Sequence, residues 1–77
     1  MPTVLNVDGF RVFFYSNEGT EPAHVHVEKA GAASKWWLVP LELAWNDGFK
    51  RPQLNAIRTI LEDHLDTLLE AWDEHFN

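Results

Sequence analysis

Apolar residues in the first forty positions recur with a period of two, whereas those beyond residue 52 recur at three and four. Thr3–Val7 (TVLNV) is alternating and β-branched, which predicts a short strand. Asp8-Gly9 is a two-residue hairpin signal, and Phe10–Tyr15 (FRVFFY) reads as the second strand. SNEGTEP, with Gly19 and Pro22, reads as a loop. His24–Lys29 (HVHVEK) alternates as a third strand, AGAAS is a small-residue turn, and Lys35–Val39 (KWWLV) is a fourth strand stopped by Pro40. Leu41–Trp45 fits either a single helical turn or a short fifth strand; the turn, over about 41–46, is the expectation adopted.

The period then changes. Pro52 suits a first helical turn, where its missing N–H costs nothing. Leu54, Ile57, Leu61, Leu65, Leu68, Trp72 and Phe76 form one apolar stripe, widened by Ile60 and Leu69, with no Gly or Pro among them. This predicts one long helix over about 52–76. The expected fold is α+β: a single domain over 1–77, with an antiparallel four-stranded meander sheet (about 3–39) packed by one long C-terminal helix, ββββα. The strands are apolar on both sides. Phe10, Val12 and Phe14 oppose Phe13 and Tyr15, and Trp37 and Val39 oppose Trp36 and Leu38. One helix covers one face. The other is covered by loops and the 41–45 segment, or it is an interface.

Composition sharpens this picture. At 77 residues the chain makes one small, marginally stable domain, and it has no cysteine to staple it. Four tryptophans, five phenylalanines and one tyrosine are much aromatic area for such a core, which leaves some for a partner. No apolar run approaches the roughly 20 residues of a membrane span, and MPTVLNVDGF lacks a basic signal-like region. A cytoplasmic protein without membrane contact is expected. The net charge of −6 is localised. Up to residue 60 the acids Asp8, Glu18, Glu21, Glu28, Glu42 and Asp47 balance Arg11, Lys29, Lys35, Lys50, Arg51 and Arg58. Beyond it lie Glu62, Asp63, Asp66, Glu70, Asp73 and Glu74, with no Lys or Arg. That argues against nucleic-acid binding without a partner. Glu62, Asp66 and Glu70 repeat along one helix face, either as a solvated surface or as a dock for a basic partner.

His24 and His26 share one strand face, with Glu28 next in line, and Val25 and Val27 share the other. Two imidazoles so placed suit one divalent metal, and His64 on the helix flank is the candidate third ligand; His75 is a weaker choice. The alternative is a pair of polar residues on a wet sheet face, with His64 capping the core edge. The geometry is exclusive: if Val25 and Val27 face the helix, His24 and His26 point away from His64. Nucleophilic chemistry lacks a motif, since Cys is absent and Ser16, Thr20 and Ser34 match none. Histidine acid–base cleavage of RNA is conceivable for His24 and His26, with Arg11 or Lys35 as the phosphate cation.

MPTV at the start, GFRVFFYSNEGTEPAHVHVE in the middle and HLDTLLEAW at 64–72 resemble the small bacterial family known as domain of unknown function 4160. The resemblance implies His24, His26, His64 and Trp72 as motif positions, assigns no catalytic residue, and carries a toxin–antitoxin suggestion made for some members. Many members are more basic in the helix, where this chain is acidic. The first functional expectation is therefore a module that binds another protein chain, a cognate neighbour or a second copy. Trp36, Trp37 and Trp45 serve as anchors, and Glu62, Asp66 and Glu70 as a charged surface. The second is a metal-binding protein or ribonuclease built on His24, His26 and His64.

Overall fold

A computed structural model describes residues 3–76. Five strands form one antiparallel meander: β1 (Thr3–Val7), β2 (Phe10–Phe13), β3 (His24–Lys29), β4 (Ala32–Leu38) and β5 (Leu41–Asp47). Two helices follow, α1 (Arg51–Asp63) and α2 (Leu65–Phe76). Among the described residues no helix is long and apolar enough to cross a membrane. The class is the expected α+β, with one more strand and one more helix.

The β1–β2 and β3–β4 hairpins each turn on two residues with positive φ: Asp8 and Gly9 at 52° and 81°, and Ala30 and Gly31 at 50° and 86°. These are the left-handed pairs whose twist matches antiparallel strands. Because Ala30 and Gly31 alone make the second turn, Ala32, Ala33 and Ser34 belong to β4 instead of a longer small-residue loop.

The fifth strand replaces the helical turn expected over 41–46. Leu41 lies opposite Leu38 and Leu43 opposite Trp36, so both leucines join the core that Trp36 and Leu38 already occupy. An isolated helical turn gains no such pairing, because a single turn holds few hydrogen bonds for the residues it fixes. A bulge between Lys35 and Trp36 then puts Trp45 opposite Lys35, on the other face of the sheet.

The core lies on one face. Phe10, Val12, Val25, Val27, Trp36 and Leu38 from the sheet pack with Ile57, Ile60, Leu61 and Leu68 from the helices. Ser34 is buried with them, and its Oγ accepts the Trp36 indole N–H at 2.9 Å. Asn46 ties β5 to the helix lead-in, donating from Nδ2 to the Phe49 carbonyl at 2.9 Å and accepting the Phe49 N–H at 3.1 Å. The Gln53 side chain accepts the Lys50 N–H at 3.0 Å where α1 begins.

The single helix predicted over 52–76 is broken at His64, although neither Gly nor Pro is present. The Ile60 carbonyl accepts both the His64 backbone N–H at 3.1 Å and its ring Nδ1–H at 2.9 Å. The side-chain bond shares this carbonyl with the ladder bond, and His64 takes φ −116°, ψ 17°. The bend keeps Leu68 in the core while Trp72 and Phe76 reach Phe14, at the end of the sheet where β2 finishes. Replacing Leu61, which is fully buried, by Ala should cost about 2–5 kcal/mol, measured by urea unfolding; a loss well under 1 kcal/mol would contradict this helix–sheet packing.

Candidate functional site

Val25 and Val27 meet α1 and α2, so alternation sends His24 and His26 to the opposite face. That face is not open water. His24 is fully buried and His26 is 8% exposed. The covering comes from the 14–23 segment, from Trp37 and from the end of α2. Trp37 meets the His24 ring edge-on at 5.5 Å, and Trp72 meets it at 4.9 Å. Phe13 stacks on His26 at 5.5 Å, with Tyr15 edge-on at 4.9 Å.

The third polar member of the cluster is Glu18, from the loop. A local turn holds it: the Tyr15 N–H donates to its Oε1 at 3.0 Å, its own N–H donates to the Tyr15 carbonyl at 3.3 Å, and the Glu21 N–H donates to its carbonyl at 3.1 Å. Lys35 Nζ, which lies over the Trp37 ring, bonds Glu21 at 2.8 Å and fastens the far side of the loop to β4.

The Nδ1 of His24 lies 2.9 Å from the Pro22 carbonyl oxygen. A carbonyl only accepts, so Nδ1 carries the proton and Nε2 of the neutral ring is a lone pair. That Nε2 is buried without a hydrogen-bond partner, yet it sits 3.0 Å from Glu18 Oε1. The short distance is not a hydrogen bond, because Oε1 lies off the direction an Nε2–H would take. His26 Nε2 lies 3.1 Å from both Glu18 oxygens and donates to the carboxylate. Ligand atoms of Glu18, His24 and His26 all fall within 4.8 Å of one another. The Glu18 carboxyl lies below its ordinary value. Partial burial pushes it up, but the hydrogen bonds it accepts from the Tyr15 N–H and the His26 imidazole outweigh that.

His64 is not part of this cluster. Its Nδ1 is committed to Ile60, and the valines, not the histidines, share the core with α1 and the first turns of α2, while His24 meets the far end of α2 at Trp72; the His24–His26–His64 trio is not brought together. Trp36 is also removed from the surface. At 2% exposure it is a core residue, not an anchor. Trp37 is half-buried against His24, and Trp45 is 45% exposed with its ring 6.0 Å from His26. Glu62, Asp66 and Glu70 are exposed on the helices, outside the cluster, and His75 rests on Phe14.

Sequence reasoning missed Glu18. No periodic spacing links a loop carboxylate to a strand. The available signal was an acid in the short polar segment leading directly into HVHV, where chain connectivity keeps it near the first histidine.

A family model described as domain of unknown function (DUF4160) matches residues 9–73. That span holds Glu18, His24, His26 and Trp72. No curated protein and no solved structure matches the chain.

Because the Glu18 carboxyl sits below its ordinary 4.5, its ionised form favours the folded chain. That contribution is complete above 4.5 and is lost as pH falls through the lowered value. Glu18→Gln should therefore flatten the acid limb of a thermal-stability profile below about 4.5. An acid limb unchanged by the substitution would show that Glu18 does not make these bonds in solution.

Proposed function

The chain belongs to the DUF4160 family, and from the cluster just described we propose that it binds one divalent transition metal through Glu18, His24 and His26. The observation that carries this is the orphaned, fully buried Nε2 of His24 facing a carboxylate oxygen at 3.0 Å. Two electron-rich atoms at that separation repel unless a positive species is shared between them. A second proton on the ring serves poorly, because the N–H direction misses Oε1. A cation bound by both atoms satisfies both.

The spacing fits. Tetrahedral zinc with bonds of about 2.0–2.1 Å separates its ligand atoms by about 3.3 Å. The Nε2–oxygen distances here are 3.0 and 3.1 Å. Two imidazoles and a carboxylate favour zinc-class metals over calcium or magnesium, which take oxygen donors. Pro22 supplies the second support such a site needs, because its carbonyl fixes the His24 tautomer that presents Nε2. Loading would displace the proton from His26 Nε2, so affinity should fall as pH is lowered. Three protein ligands leave one tetrahedral position for an outside donor. Glu18 and His26, with side chains 16% and 10% exposed, mark the side from which it would come.

Zinc-loaded protein, dialysed and analysed for metal, should hold one equivalent per chain, and Glu18→Gln and His26→Ala should each lower the affinity by at least about tenfold. Retention of no zinc by the wild type, or equal affinity in all three proteins, would dispose of this reading.

A second reading, contact with another polypeptide, is supported by the exposure of Val39 (69%) and Trp45 (45%) about the β4–β5 hairpin. Exposed large apolar side chains of this kind mark contact surfaces when they are contiguous. Sedimentation of the chain alone and with its encoded neighbour tests it: Trp45→Ala should weaken an association that wild type shows. Wild type that stays monomeric in both cases removes the reading.

A further inference from the structure

Gly19 follows the Glu18 ligand, and the last turn of α2 lies directly against it. A Cβ built on Gly19 would meet Phe76 Cδ1 at 2.5 Å and Cε1 at 3.0 Å, so only glycine lets the loop approach so closely. Phe76 packs on Trp72 at 4.3 Å between ring centres, and Trp72 packs on His24 at 4.9 Å. The end of α2 thus touches the loop beside one ligand and the ring of another, on two sides of the same cluster. Neither aromatic residue offers a metal donor. Their contacts act on where Glu18 and His24 stand.

Resting on the metal-binding reading, we infer that Trp72 and Phe76 are positioning residues for the centre, and that metal binding and docking of the α2 end form one coupled equilibrium. Glu18 stands on a loop, whereas both histidines stand on the central strand of the sheet. The loop ligand is therefore the one whose placement depends on what is packed behind it. Phe76 supplies that backing through Gly19. Without it the carboxylate samples positions away from the two Nε2 atoms, and the affinity falls although every ligand remains. By reciprocity, a metal that draws Glu18 toward His24 and His26 tightens the seat on which Phe76 rests.

The test uses the full chain and zinc as the probe. Zinc affinity, read by competition with a chromophoric chelator, should fall about tenfold in Phe76→Ala. It should return toward wild type in Phe76→Leu, which restores bulk without a ring. Circular dichroism establishes that each variant is folded. In wild type, amide exchange over Trp72–Phe76 should slow on zinc addition, and in Glu18→Gln the same addition should leave it unchanged. The exchange measurement needs no α2 variant, so it stands even if Phe76→Ala unfolds. Wild type that loads zinc with no change in α2 exchange overturns the coupling and leaves the metal site standing. So does a folded Phe76→Ala with wild-type affinity. Wild type that takes up no zinc overturns both.

Discussion

Val25 and Val27 are buried against Ile57, Leu61 and Leu68, and the two-residue period of a strand then leaves His24 and His26 no choice of face. Everything at the cluster follows from that burial. A slip of one residue in the β3 register would carry the histidines into the apolar core and put the valines under the loop. Apolar area lost on one side and imidazole polarity buried on the other both oppose such a slip. The register is held on both flanks, by Val12 opposite Val27 and by Trp36 opposite Val25. The same packing that stabilises the domain therefore aims the two imidazoles.

Behind the sheet, a small chain closes two layers with little material. The helical segment, interrupted at His64, serves both faces: α1 and the first turns of α2 lie on the valine face, and the end of α2 reaches the histidine face. Leu68 stays with the sheet core, while Trp72 and Phe76 pack with Phe14 and reach His24. Aromatic surplus in the sequence is used here, at the joint between helix, loop and strand, and only part of it remains exposed in Tyr15 and Trp45. His64 serves this architecture through its bond to the Ile60 carbonyl, not through metal chemistry.

Electrostatics divide along the same line. The acids Glu62, Asp66 and Glu70 stand exposed on the helices, far in character from the single carboxylate held between two imidazoles. Exposed acids in water cost little and direct little. Glu18 is different because its surroundings are part-buried, its partners are fixed, and one of them presents an unsatisfied nitrogen. A net charge of −6 reported on the helix surface and said nothing of this pair.

Short-range physics made much of the chain legible from its residues alone. Alternation in HVHVEK fixed a strand with histidines on one side, Asp8-Gly9 fixed a hairpin, and the stripe from Leu54 to Phe76 fixed helical structure and its buried side. These depend on neighbours one to four positions apart, which a sequence states directly. The fifth strand and the burial of Trp36 were decided by tertiary contacts, as Leu41 and Leu43 pair across β4, whereas the break at His64 is local, a ring nitrogen bonding a carbonyl one turn back, and leaves no mark in the apolar period. Glu18 entered the cluster through tertiary contacts too. A loop has no period, so which side chain it delivers to a strand is settled only when the loop is pinned, here by Tyr15, by Lys35 through Glu21, and by Phe76 behind Gly19.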